Sequence, residues 1–291
     1  MHIITGGTGR VGLALAEALL KKGEKVTIIS RSSMSAKEWM SKGAQIAVAD
    51  IYDTVTLHEI FKKGKSIFIL NPPADPMTDT PLQERKTAAS LVEALKNSNA
   101  EKVVVESTLG AQPGYSIGDF GVLYELEQNV AKLSYPYSII RPAYYMSNWV
   151  EQLPAIKENG ELMSFFPVDL KFPMVAPPDI GELAAHLMMA NNTPDVNSIH
   201  GPELYSARDV ADAFSNVLGK KVKVKVIPKD QWKATYRSMG FSEQGAESYT
   251  NMTQISLSAF EKTTDSTGVI KGKITLPEYI MLILANMRRN L

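Results

Sequence analysis

Six short apolar runs, rich in β-branched residues and separated by longer amphipathic segments, follow one another through the first half of the chain. This alternation leaves few folds open. The runs are His2–Ile4, Val26–Ile29, Ile46–Ala49, Ser66–Leu70, Val103–Val105 and Tyr137–Ile140. Uninterrupted apolar stretches of this kind suit strands buried on both faces. Helical segments at Val11–Lys22, Thr54–Phe61, Leu82–Lys96 and Gly121–Leu133 supply the crossovers that parallel strands require. The pattern predicts an α/β protein built on a doubly wound parallel sheet.

The winding pattern ends at Arg141-Pro142. Beyond it, prolines at 154, 167, 173, 177 and 178 mix with predicted helices at Asp179–Ala190, Arg208–Leu218, Lys229–Met239, Glu243–Ser256 and Leu276–Met287, and with one alternating strand at Val222–Ile227. Residues 1–142, together with roughly 176–200, are expected to form a nucleotide-binding domain. Roughly 143–175 and 201–291 are expected to form a smaller α+β substrate domain. The polar stretch Lys262–Gly272 reads as a mobile linker.

Bulk composition excludes several classes. Lys plus Arg and Asp plus Glu each number 31, so no net field recruits nucleic acid or an anionic membrane. With no cysteine there is no disulfide, thiolate metal site or cysteine nucleophile. The amino-terminal apolar run stops at Thr5, and no window approaches the ~20 apolar residues of a bilayer span. A cytoplasmic protein is expected. The four histidines, His2, His58, His186 and His200, lack metal-ligand spacing, so no metal is expected. His186 reads as a residue packed on its helix.

Where the first strand hands over to the first helix the sequence is TGGTGRVG. Gly6, Gly9 and Gly12 are spaced G-x-x-G-x-x-G, one residue longer in the first gap than the dinucleotide fingerprint. One glycine permits the tight turn, one lets backbone amides approach a pyrophosphate, and one lets the helix lie close to the strand. Gly6, Thr8, Gly9, Arg10, Val11 and Gly12 are therefore the expected phosphate cradle, at the positive end of a helix dipole. A ligand-free glycine turn is the plainer alternative.

After the second strand stands Ser30-Arg31-Ser32-Ser33, with no carboxylate to bond a ribose 2′-hydroxyl. Arg31 can fork onto a 2′-phosphate, which favours NADP(H) over NAD(H); a solvated surface arginine is the alternative. Asp50 is placed to accept from the adenine amino group, or to cap the next helix, as could Asp53. Asn71 and Pro72 end the fourth strand and Ser107 the fifth, at the carboxyl edge where open α/β sheets bind ligands. Tyr144, Met146 and Trp149 follow the sixth strand and form an expected wall for a flat apolar acceptor, or pack the two domains together. Glu106 precedes Ser107 and is one residue too early to be an obvious acid.

TGGTGRVG, the SRS and ADIYD stretches, Asn-Pro-Pro, VVVESTLGA, PYSIIRPAYYMSNW, PPDIGELAAHLM and IHGPELYSARDVADAFSNVLGKKV together resemble the NmrA-like group of atypical short-chain dehydrogenases/reductases over Met1–Pro228. The resemblance implies a Rossmann NAD(P)-binding protein with a small carboxyl-terminal substrate domain. Some members reduce quinones, some reduce phenylpropanoid compounds, and some bind dinucleotide only to sense redox state. Asn148 matches an asparagine that the family carries after its RP-aromatic-Met segment, which makes it a substrate-site residue.

The wider superfamily works with Tyr-x-x-x-Lys, a tyrosine that donates a proton and a lysine that lowers its pKa. None of the 11 tyrosines here has a lysine four positions on. Leu123 stands at the lysine's place, with Tyr124 beside it as the nearest remaining proton donor. The expected function is NADP(H)-dependent reduction of a quinone-like or other small apolar acceptor. A non-catalytic dinucleotide-binding redox sensor is the rival, and an epimerase is disfavoured because it needs the same pair. The residues name neither the substrate nor any protein partner.

Overall fold

A computed structural model describes residues 1–32, 37–262 and 268–289. The first half runs β1 (His2–Ile4), α1 (Arg10–Lys21), β2 (Val26–Ser30), α2 (Lys37–Ser41), β3 (Gln45–Val48), α3 (Thr54–Phe61), β4 (Ser66–Leu70), α4 (Thr80–Leu95), β5 (Lys102–Glu106), α5 (Asp119–Ala131) and β6 (Tyr137–Pro142). Then come β7 (Tyr144–Tyr145), α6 (Ser147–Val150), α7 (Leu153–Asn159), β8 (Glu161–Ser164), β9 (Phe172–Val175), α8 (Pro177–Met189), β10 (Val196–His200), β11 (Leu204–Tyr205), α9 (Ala207–Leu218), β12 (Lys223–Val226), α10 (Trp232–Ser238), α11 (Glu243–Phe260), β13 (Ile270–Lys271) and α12 (Leu276–Arg289).

Eight strands form one sheet in the order β3-β2-β1-β4-β5-β6-β10-β13, and every neighbouring pair is parallel. The order reverses beside β1, so the loops after β1 and β4 flank the switch point where such sheets bind ligands. Five of these strands fall where the apolar runs predict, within a residue or two at each end. The sixth, β5, extends beyond Val103–Val105 to take in Lys102 and Glu106, both buried although charged.

Two apolar clusters cover the two sheet faces. Ile4, Leu15, Ile28, Phe68, Val104 and Ile180 belong to the face under α1 and α8. Ile3, Phe61, Ile69, Leu91, Val105 and Leu126 belong to the face under α3, α4 and α5. A Cβ on Gly181 would meet Ala14 Cβ at 2.6 Å, so glycine is what lets α8 lie so close on α1. A third cluster gathers residues after Pro142, including Met146, Trp149, Phe172, Phe214, Trp232 and Tyr279. Its centre is aromatic: Phe172 and Phe260 stack at 4.2 Å, and Tyr144 meets Phe172 edge-on at 5.5 Å.

Local signals set the helix starts. Asp53, Asp79, Ser206 and Ser242 each accept a backbone amide at the amino terminus of α3, α4, α9 and α11. His186 lies exposed on α8, not packed as the sequence predicts, because its position falls on the helix face turned from α1. Of the polar stretch read as a mobile linker, residues 263–267 lie outside the described residues, as does Ser33. Among the described residues no helix is long and apolar enough to cross a membrane, and no cluster of His, Asp or Glu side chains is placed to hold a metal ion.

Candidate functional site

The turn from β1 into α1 is shaped by its glycines. Gly6 has φ +62°, and its carbonyl accepts from the Gly9 amide at 2.9 Å. A Cβ on Gly7 would fall 2.4 Å from Ile28 Cγ2, and one on Gly12 would fall 2.3 Å from the Gly6 carbonyl oxygen. Gly7, absent from the spacing read in the sequence, is thus as constrained as Gly12. Gly9 differs: a Cβ there would meet only the Gly6 oxygen, at 3.3 Å, with open space otherwise. Gly9 is also the N-cap of α1, and among the described residues no side chain caps that helix. The first amides of α1 therefore remain for an outside acceptor, as an anion requires. Thr8, Gly9 and Arg10 are exposed, whereas Val11 is buried in the core and offers the cradle only its backbone.

Arg10 turns its guanidinium aside. Its Nη1 donates to the Ser147 carbonyl at 3.0 Å and lies 3.6 Å from Glu151, which ties the glycine turn to α6. On the other flank Arg31 is exposed at the end of β2 and makes no ion pair among the described residues. Asp50 is exposed as well, with its Oδ1 accepting the Tyr52 amide at 2.8 Å. The helix cap left open between Asp50 and Asp53 belongs to Asp53, which accepts the Thr56 amide at 3.0 Å.

The opposite flank, beyond β4 and β5, departs most from expectation. The Asn71 amide is engaged at both ends, donating to the Glu84 carbonyl at 3.0 Å and accepting from Thr87 Oγ1 at 2.7 Å. It pins the β4 exit to α4, so only the backbone of Asn71 and the ring of Pro72 are left for a ligand. Ser107 points to the α5 side, where its hydroxyl donates to Glu127; that carboxylate, 1% exposed, forms a bidentate pair with Arg141. Ser107 is a brace between β5 and α5, not a crevice donor. Tyr124 lies half-buried beside Arg141.

Met146 and Trp149 are 0% and 2% exposed, inside the third core cluster, and cannot form a substrate wall. Trp149 Nε1 donates to Met174 Sδ at 3.3 Å. The Tyr144 ring is sandwiched among Trp149, Phe166 and Phe172. Burial raises its hydroxyl pKa, which the Asn148 side chain partly offsets. Asn148 itself is exposed.

Glu106, set aside in the sequence, is the residue this flank is built around. It is 5% exposed, Tyr145 Oη donates to its Oε1, and its Oε2 has no partner among the described residues. Burial pushes its carboxyl up to about 7, against the lowering effect of the Tyr145 hydrogen bond. Nearby, Asp119 at the start of α5 is raised by burial and interacts with Glu84 and with the hydroxyl of Tyr249 from α11. Glu84 is raised by burial and then by the Asp119 charge. The overlooked signal was a carboxylate at the end of an otherwise apolar VVVE strand, where only a neutralised or paired group is stable.

The NmrA-like family model matches residues 2–279. The chain belongs to the NmrA-like family. Among curated relatives it is 26% identical over 251 residues to an NAD(P)H azoreductase of Xenophilus azovorans, covering 85% of this chain and 84% of that one. It is 21% identical over 246 residues to quinone oxidoreductase 2 of Escherichia coli, covering 84% and 83%. The structure of the NADPH-dependent quinone oxidoreductase of Escherichia coli, complexed with NADPH, superposes with a TM-score of 0.80 at 20% identity, over 98% of this chain and 100% of that one. The triphenylmethane reductase of Citrobacter, complexed with NADP(H), gives 0.77 at 18% identity, over 97% and 99%. The fold is the Rossmann-like fold of these reductases. Leu123, at the place the resemblance assigns to the lysine, packs against the apolar cluster under α3, α4 and α5.

Proposed function

We propose that this protein is an NADPH-dependent reductase of small, flat, conjugated acceptors, quinone-like or azo-like. The observation that carries this is the bare start of α1: a helix amino terminus with no side-chain cap, reached through a turn in which a Cβ on Gly12 would strike backbone and one on Gly9 would point into open space, at the switch point of a parallel sheet. Gly6, Thr8, Gly9 and the first amides of α1 would hold the pyrophosphate. Arg31 would pair with a 2′-phosphate, because the stretch directly after β2, Ser30-Arg31-Ser32-Ser33, offers a cation and no carboxylate. Asp50 would meet the adenine, and Asn71 and Pro72 would lie along the ribose beyond. The reduced nicotinamide, when held by these residues, would supply the hydride for the acceptor. Asn148 and the half-buried face of Tyr145 would border the acceptor. The names of the azoreductase and quinone oxidoreductase relatives support this substrate class.

The second reading, a sensor that holds dinucleotide without turnover, draws on the absent tyrosine-lysine pair. One set of measurements separates them. Fluorescence titration of NADPH and NADH is followed by NADPH oxidation against a panel of quinones and azo dyes, in the wild type and in Arg31→Glu. A reductase with a 2′-phosphate site turns over in the wild type, and Arg31→Glu weakens NADPH by about tenfold or more, about 1.4 kcal/mol, while NADH changes little. Tight NADPH binding with no turnover on any acceptor selects the sensor. Tighter NADH binding by the wild type overturns the role given to Arg31.

A further inference from the structure

We propose that Tyr145 and Glu106 act together as the proton donor of this site, Tyr145 presenting its hydroxyl to the acceptor and Glu106 replenishing it from behind. The inference rests on the reductase reading above.

Position comes first. Glu106 is the last residue of β5, in register with Leu70 of β4 and Ile140 of β6. Residues in register face the same side of a sheet, one strand spacing of roughly 4.8 Å apart. Leu70 packs on the glycine turn, close enough that a Cβ on Gly6 would lie 2.9 Å from its Cδ2. Glu106 thus stands two strands from β1, whose exit forms the glycine turn, on the side away from Arg31. With Arg31 marking the adenosine end, this is the nicotinamide end. Tyr145, in β7 just past β6, bonds Glu106 from above and remains half-buried, not enclosed.

The chemistry follows from the surroundings. Glu106 Oε2 is buried without a partner, an arrangement costly for a carboxylate and tolerable for a neutral carboxylic acid. The groups acting on Tyr145 are Glu106 and Asp119, and behind Asp119 stand Glu84 and Tyr249. Arg85 acts on Glu84 from the far side of that cluster. Among the described residues no lysine acts on Tyr145 to stabilise a phenolate, so a proton leaving its hydroxyl must be replaced in the same event. Glu106 is bonded to that oxygen and carries the replacement.

The balance is simple. The acceptor, having taken a hydride from reduced nicotinamide, holds an anionic oxygen or nitrogen. Its new O–H or N–H bond forms as the Tyr145 O–H bond breaks. For this relay the bond that Tyr145 donates to the carboxylate runs the other way in the neutral acid, the Glu106 carboxyl O–H donating to Tyr145 Oη and leaving the Tyr145 hydrogen for the acceptor. The Tyr145 O–H bond re-forms as the Glu106 O–H bond breaks, and solvent returns one proton to Glu106 before the next turnover.

The test uses the full chain. Without dinucleotide, an infrared pH titration of the wild type is expected to show a buried carboxylic acid that ionises with a midpoint near pH 7, and Glu106→Gln is expected to lack it. With NADPH and a quinone, Tyr145→Phe and Glu106→Gln are expected to lower kcat by about tenfold or more, within the range general acid catalysis supplies. NADPH affinity is expected to stay within about twofold of wild type. The wild-type fall of kcat with rising pH flattens in Glu106→Gln and returns in Glu106→Asp. Turnover unchanged in both variants, or an infrared band that persists in Glu106→Gln, overturns the pair alone. A wild type that reduces no acceptor overturns the reductase reading and this inference with it.

Discussion

The glycines of the β1–α1 turn divide the cradle into a part that holds the fold and a part that faces the ligand, and single methyl groups separate the two. In Gly12→Ala the new carbon lands 2.3 Å from the Gly6 oxygen and 2.7 Å from Gly7 Cα, both backbone atoms that cannot swing away. Overpacking of this kind costs about 1–3 kcal/mol. Urea denaturation should show that loss, and titration should show weakened NADPH binding. In Gly9→Ala the backbone is already extended, with φ −83° and ψ 172°, and the methyl group projects where the phosphates would rest. Stability should change by under about 1 kcal/mol, while NADPH affinity should fall. If Gly9→Ala bound NADPH as the wild type does, the open side of the turn would not be the phosphate site.

At the scale of elements, legibility follows the range of the interactions that form each one. Strands β1, β2, β4, β5 and β6 were readable because isoleucines and valines buried on both faces leave an uninterrupted apolar run; β3, an edge strand with Gln45 and Val48 exposed, was readable from Ile46-Ala47-Val48 without such burial. Strands β7, β8 and β9 were not: Tyr144 pairs with Met174 and Glu161 with Lys223, and no local pattern announces a partner thirty or sixty residues away. Strand β10 was missed because Asn197 and Ser198 break its apolar run, although Asn197 bonds the Pro194 carbonyl at 2.8 Å. The apolar rule likewise trimmed β5 to its valines and set aside Glu106, the residue around which one end of the site is organised. The glycine turn at the head of α1 was legible because short local geometry suffices, whereas the burial of Met146 and Trp149 is a tertiary fact. The brace of β5, α5 and β6 through Ser107, Glu127 and Arg141 also escaped notice. Removing one partner leaves the others with unmatched charge or hydrogen bonds, so Glu127→Ala should cost about 3 kcal/mol or more in chemical denaturation. Adding Arg141→Met should recover part of that loss, because the stranded charge is then gone.

Over the whole molecule, the carboxyl-terminal half returns to close the site. Along α11 and its N-cap, Ser242 Oγ donates to the Thr78 carbonyl at 2.6 Å, Ser248 Oγ accepts from the Gly118 amide at 2.8 Å, and Asn251 Nδ2 donates to the Ser116 carbonyl at 3.0 Å. One helix thereby pins the loops after both β4 and β5, and its Tyr249 meets Asp119, which interacts with Glu84; Glu84, Asp119 and Glu106 are all desolvated at this end of the molecule. Burial raises the pKa of each, so over a span of pH the folded chain keeps protons that the unfolded chain has released. Stability is then fully present below the ordinary carboxylate range and declines as pH rises toward the folded values, by about 1.4 kcal/mol per pH unit for each proton retained. His2, whose pKa burial lowers, acts in the opposite sense and costs stability as pH falls below its ordinary 6.5. Unfolding free energy of the protein without dinucleotide should therefore decrease from pH 5 to pH 7, about the span over which Glu106 alone moves from 4.5 to about 7. Glu106→Gln holds no titrating proton there, so its slope over that window should be shallower by up to the contribution of one proton. An identical slope in the two proteins would mean that Glu106 ionises in the folded chain as it does in the unfolded one, and the dry setting beneath Tyr145 would have to be admitting water.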